Sequence, residues 1–343
     1  MVTALLHLIF AASPSPVIVR PTPPLPVRVE ERVEVSRVVI DVRVVDSRGQ
    51  PVHGLIPTDF QAFIDGVPAR IEAVEWIDAN TPYAEGPTPA DAVVAGVAAA
   101  PAGRLVVLFF QTDFNRYRLS GLMRMRAQAV ELARSLPARD RIAVVSFDAR
   151  LKLRQDFTRD RAKVEQALSR AILYAPDDPF AAEDEFSLAR RLDQAAARAA
   201  TSPEKALLAV ARALAALPGA KSLVWAGWGI GHKAGPFVRL ESAWEEARRG
   251  LTTGRVSVFA LDVTDADFHD LELGLRRVAA ETGGFYAKTH EFPSQALDRL
   301  KGALAGSYQI VVVRPELPHG DHSMVVTLAG KGGEILAHTS FRD

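Results

Sequence analysis

Four short runs limit what this chain can fold into: RLVVLFFQ at 104–111, RIAVVSF at 141–147, KSLVWAG at 221–227 and RVSVFALD at 255–262. Each is apolar at consecutive positions rather than at every second one. Successive side chains on a strand point to opposite faces, so strands of this kind must be covered on both sides. Between them the apolar spacing changes to that of helices. Leu122, Met125, Ala129, Ala133 and Leu136 fall on one helical stripe, with arginines on the outer face. Further helical patterns are expected over residues 161–173, 185–199, 204–217 and about 295–304, and a further strand in GGFYAK at 283–288. LKLRQDF at 151–157 follows RIAVVSF too closely for a crossover, which predicts an antiparallel hairpin. The alternation as a whole predicts an α/β fold with a doubly wound, mostly parallel sheet over residues 104–306.

A different pattern precedes it. From residue 33, VEVSRVVIDVRVVDSRGQPV alternates β-branched residues with charges and turns at Asp46 to Gly49; FQAFIDGVPARIEAVEWI repeats the theme around Asp65-Gly66. These predict a small β-sandwich-like domain at 27–80. Residues 81–103, rich in Ala, Gly, Pro and Thr, read as a linker. Strands return in the tail, residues 307–343, as YQIVVVRP, HSMVVTLA and EILAHTSF. Pattern alone leaves open whether they extend the α/β sheet or join the β-domain.

Lys plus Arg and Asp plus Glu balance at 41 each among 343 residues, so no field favours nucleic acid or an anionic membrane. The chain has no Cys, which removes disulfides, thiolate metal sites and Cys nucleophiles. Residues 1–26 combine a short apolar run, small residues and a proline-rich stretch, MVTALLHLIFAASPSP onward. The run is too short to span a bilayer and has the length of a secretory signal, which predicts a secreted, periplasmic or cell-envelope protein without a stable membrane span.

In their order along the chain, VRVVDSRGQPVHGLIPTDFQAFIDG, ARDRIAVVSFDARLKLRQDFTRD, KSLVWAGWG, VSVFALD and LRRVAAETGGFYA followed by SYQIVVVRPE resemble the von Willebrand factor type A (VWA) domain, in particular bacterial VWFA-related proteins with a short β-domain in front. The resemblance implies a Rossmann-like sheet with its ligand face at the carboxyl ends of the strands. In metal-dependent members that face carries a metal-ion-dependent adhesion site built from three loops. The first, Asp-x-Ser-x-Ser, falls on Gln111, Thr112, Asp113, Phe114 and Asn115; the second places a Thr at Thr201; the third places an Asp where Trp228 stands. A neutral amide and an indole are poor replacements for carboxylates on a hard cation, so the resemblance implies a degenerate site and no cofactor.

Other features have simpler explanations. Thr201-Ser-Pro-Glu204 forms a capping-box pattern, with Pro just inside a helix. In LDVTDADFHD, Asp262 ends a strand and is a rival cation ligand, while Asp265 or Asp267 is placed to cap the next helix. GWGIGHKAG at 227–235 lacks both the dinucleotide fingerprint and a terminal Gly-Lys-Ser/Thr, and reads as a loop. Ser146 has no nucleophile elbow around it. His232 and His269 read as surface residues near the ligand face. The expectation is a non-enzymatic, protein-binding, adhesion-type module with an unidentified protein partner. The alternatives are a magnesium- or calcium-dependent adhesion module using Asp113, Asn115, Thr201 and Asp262, and a hydrolase or nucleotide-binding enzyme.

Overall fold

The wholly apolar runs become the centre of a six-stranded sheet. A computed structural model of the chain describes residues 36–79, 103–113, 115–171 and 186–343. The sheet is formed by β5 (Leu105–Gln111), β6 (Arg141–Phe147), β7 (Leu151–Thr158), β8 (Lys221–Gly227), β11 (Val256–Asp262) and β12 (Tyr286–Lys288), in the order β12-β11-β8-β5-β6-β7. All neighbours run parallel except β6 and β7, the antiparallel hairpin expected from their short connection. On β5, Leu105, Val107 and Phe109 face one core, packed under α4 (Pro203–Ala215) and α5 (Ala243–Thr253). Val106, Leu108 and Phe110 face the other, under α1 (Arg116–Ser135), α2 (Arg161–Arg170) and α7 (Pro293–Ala303). This is the doubly wound α/β architecture, with helices on both faces.

A β-sandwich is built from both ends of the chain. One sheet runs β15 (Glu334–Ala337), β1 (Arg37–Val45), β13 (Gly306–Val313), β4 (Ile71–Asp78); the other runs β16 (Ser340–Arg342), β14 (Asp321–Leu328), β2 (Phe60–Ile64), β3 (Val67–Ala69). The tail strands thus pair with the N-terminal ones: β13 lies between β1 and β4, antiparallel to both. Ile40, Val42 and Val44 meet Ile64, Ile310 and Val312 in its core. Tyr308 is buried there; its hydroxyl donates to the Val52 carbonyl at 2.8 Å and accepts from the Leu55 N–H at 3.1 Å. The sandwich reaches the α/β sheet through β1: Asp41 accepts two hydrogen bonds from Arg255 at 2.5 and 2.7 Å, and Arg43 donates to Ser257 Oγ at 2.7 Å.

Three local expectations need correction. The helix expected over 185–199 is shorter, α3 (Gln194–Ala199), and residues 186–192 form turns and bends. Asp156 of β7 explains this, because its carboxylate accepts the Leu188 N–H at 2.6 Å and the Ser187 hydroxyl at 2.5 Å, holding the backbone away from a helix until Asp193 caps α3. The cap of α4 is Ser202, not Thr201; Glu204 does not close a capping box but accepts the Glu241 N–H at 3.2 Å. Within the glycine-rich stretch after β8, a small hairpin forms from β9 (His232–Ala234) and β10 (Phe237–Arg239). The expected leader at 1–26 and all but Gly103 of the linker at 81–103 lie outside the described residues. Among the described residues, no helix is long and apolar enough to cross a membrane.

Candidate functional site

The carboxyl ends of β5, β8, β11 and β12 put Gln111, Gly227, Asp262 and Lys288 on one edge of the sheet, followed by four loops. Gln111 is 1% exposed. Its amide oxygen accepts the N–H groups of Trp228 at 3.1 Å and Gly229 at 3.3 Å, while its Nε2 donates to the Gly229 carbonyl at 2.8 Å. The side chain therefore clasps the end of β5 to the loop after β8. Two glycines make this fit: a Cβ on Gly227 would lie 2.7 Å from Gln111 Oε1, and Gly229 adopts φ of +154° against Leu271.

Beyond the clasp, the first loop is tied to β6 and to the start of α1. Thr112 donates its N–H and hydroxyl to the Phe147 carbonyl at 2.8 and 3.2 Å. Asp113 Oδ1 accepts the Asn115 N–H at 2.9 Å, and Oδ2 takes the Arg118 guanidinium. Asn115 caps α1, accepting the Tyr117 N–H at 3.0 Å. Phe114 lies outside the described residues. Arg118 also stacks on the Trp228 indole, 3.7 Å from the ring centroid. The first turn of α1 thus brings a cation, Arg118, to the carboxylate of Asp113. A divalent ion at this position would compete with Arg118 for Asp113 and with the loop backbone for Gln111.

Asp262, 1% exposed, is the centre of a second network. Its carboxylate accepts the Thr264 N–H at 3.0 Å, Tyr286 OH at 2.7 Å and pairs with His269 Nε2 at 2.7 Å. Burial pushes this carboxyl up, but the hydrogen bonds from His269, Thr264 and Tyr286 outweigh it and leave it below its usual value. Burial and the Asp262 charge push the Tyr286 phenol well up. His269 is consequently a partly buried partner of Asp262 rather than a surface residue. Glu272 lies within ligand distance of this pair, yet it is held by Lys288 at 2.9 Å and Arg276 at 3.1 Å. Asp265 and Asp267 do not cap α6 (Glu272–Glu281), which begins without a side-chain cap. Asp265 instead holds α1, accepting from Arg124 at 2.5 Å and from the Ser120 hydroxyl, and Asp267 faces His290 at 3.3 Å.

Of the remaining candidates, Thr201 is exposed, with its hydroxyl 3.4 Å from Lys205 Nζ. Ser146 is buried and accepts from Arg154 Nε at 2.8 Å. His232 is exposed on the β9–β10 hairpin. Sequence reasoning missed the rim of the face. Tyr117 in the first turn of α1, Phe237 on the β9–β10 hairpin, Phe268 after β11 and Phe292 at the start of α7 are 52%, 70%, 62% and 58% exposed. The loops touch one another: the Asp265 N–H donates to the Tyr117 carbonyl at 2.8 Å, Lys233 pairs with Asp270 at 2.7 Å, and the Thr289 N–H donates to the Asp262 carbonyl at 3.0 Å. The signal available in the sequence was an aromatic residue shortly after each strand end, in polar surroundings where no core explains it.

The sequence matches no protein-family model and no curated protein. The fold is similar to that of von Willebrand factor type A from Catenulispora acidiphila, with a TM-score of 0.42 and 11% identity over 89% of this chain and 74% of that one. It is also similar to the conserved hypothetical protein BatB from Bacteroides thetaiotaomicron, with a TM-score of 0.38 and 13% identity over 59% of this chain and 99% of that one. The PilB minor pilin from Streptococcus sanguinis gives a TM-score of 0.37 and 11% identity over 79% of this chain and 87% of that one. The chain is an α/β unit with a mostly parallel six-stranded sheet, joined to a β-sandwich.

Proposed function

We propose that this chain is a non-enzymatic, adhesion-type VWA-like module that grips a protein partner outside the cytoplasm, through the loops at the carboxyl ends of its parallel strands and without a divalent cation. The observation that carries this reading is the set of four exposed aromatics, Tyr117, Phe237, Phe268 and Phe292, each in the segment that follows a different parallel strand, with these segments in contact. Large aromatics with a polar surround are the side chains that anchor protein interfaces, because they bury much area at low entropic cost. Export is supported by the short apolar start and proline-rich stretch of residues 1–26. The absence of a cation requirement is supported by the engagement of Gln111, Asp113 and Asn115 with protein partners.

The test is photo-crosslinking from position 268 in the native organism's envelope fraction, comparing wild type with a Phe237→Ser, Phe268→Ser, Phe292→Ser variant in competition. One partner should be captured equally in Mg²⁺ and in EDTA, and excess wild type should displace it whereas the variant should not, although the variant melts normally. In parallel, millimolar Mg²⁺, Mn²⁺ or Ca²⁺ should leave the wild-type melt unchanged. Capture that needs the cation, or a saturable rise in melting temperature that disappears in Asp113→Ala, would overturn the reading in favour of the metal-dependent one.

A further inference from the structure

At the opposite edge of the sheet, the amino ends of β5, β8 and β11 meet the sandwich around a cavity of about 130 Å³. Among the described residues, its lining includes Arg43, Arg104, Arg139 and Arg255 but only two carboxylates, Asp41 and Asp78. Asp41 is occupied by Arg255 through two hydrogen bonds. Arg104 is held by Asp140, at 3.1 and 2.5 Å, yet its Nη1 is buried with no acceptor among the described residues. Arg139 donates to the Ala79 carbonyl.

Arg43 is the unusual member. It is 6% exposed, and its guanidinium donates to two neutral oxygens, Ser257 Oγ at 2.7 Å and, at the limit of a hydrogen bond, Ser222 Oγ at 3.5 Å. It makes no ion pair among the described residues. Burial, opposed by Asp41 and reinforced by the charges of Arg104 and Arg255, pushes it down to about 10. A buried guanidinium without a carboxylate is costly, and removing it from water is repaid only by a counter-charge with matching hydrogen-bond acceptors. The planar forks of Arg43 and Arg104 present the donors that oxyanions accept.

We propose that this cavity is a binding site for a small tetrahedral oxyanion, inorganic phosphate or sulfate, held by Arg43 and Arg104 with Arg139 beside them. The anion would complete the charge balance where β1 crosses the amino ends of the parallel strands, and so tie the sandwich to the α/β sheet. The site is separate from the aromatic face and does not depend on the function proposed for it.

The full chain should be titrated with sulfate and with phosphate at constant ionic strength, with chloride and acetate as the baselines, by calorimetry and by thermal melting. The expected result is a saturable heat and, at a hundredfold excess over the dissociation constant, a rise in melting temperature of about 5 °C. Arg43→Met should abolish both, and Arg139→Gln should weaken affinity roughly tenfold, as expected for one charge-assisted hydrogen bond. If Arg43→Met does not fold, Arg139→Gln alone decides. No saturable response, a response matched by chloride or acetate, or one unchanged in the folded variants overturns the proposal.

Discussion

Gln111 stands where the sequence resemblance implies a carboxylate, but its present work is mechanical. Its amide satisfies two N–H groups and one carbonyl of the loop after β8. Gln111→Leu keeps the volume and removes all three bonds, stranding backbone groups that the fold has taken from water. It should cost on the order of 3 kcal/mol in chemical denaturation, the sum of a few unsatisfied groups. A loss below about 1 kcal/mol would mean that water replaces the clasp. The departure from the family pattern at Gln111 and Trp228 was visible in the sequence; the clasp was not, because its partners are joined only by the parallel pairing of β5 with β8. The same applies to Arg118, an ordinary first-turn arginine until Asp113 and Trp228 are placed around it.

At the scale of elements, the parallel strands were legible because burial on both faces leaves no polar position, a signal independent of what packs there. The segment before α3 was not, because the Asp156 carboxylate overrides its helical spacing from a strand some thirty residues earlier. The junction between β15 and β16 carries a titratable group that sequence also leaves unremarkable. His338 is 8% exposed and contacts Thr252 of α5 at 3.4 Å. Burial, opposed by Asp41 and reinforced by Arg43 and Arg255, pushes its imidazole down from 6.5 to about 4. Between those values the unfolded chain binds a proton that the folded one refuses, so stability falls as pH falls from about 6.5 towards 4. The span corresponds to about 3 kcal/mol. Denaturant midpoints measured across this window should slope accordingly, and His338→Gln should flatten the slope; an unchanged slope would show that other groups carry it.

For the whole molecule, the decisive feature is β13, seated between β1 and β4. A chain truncated after residue 306 keeps every strand of the parallel sheet but leaves β1 and β4 without the strand they share. It should lose the cooperative unfolding of the sandwich and bind a hydrophobic dye; a truncated chain with wild-type melting would contradict this account. The position of β13 also has a consequence in time. On a ribosome adding roughly 5–20 residues per second, β1 and β4 emerge tens of seconds before their common neighbour exists. Through that interval they present open edges of Val and Ile, the kind of surface that recruits other chains. The order of synthesis and the order of pairing run opposite to each other here, and a holdase that covers residues 37–78 until the last strands arrive would decide how much of the protein reaches its native state.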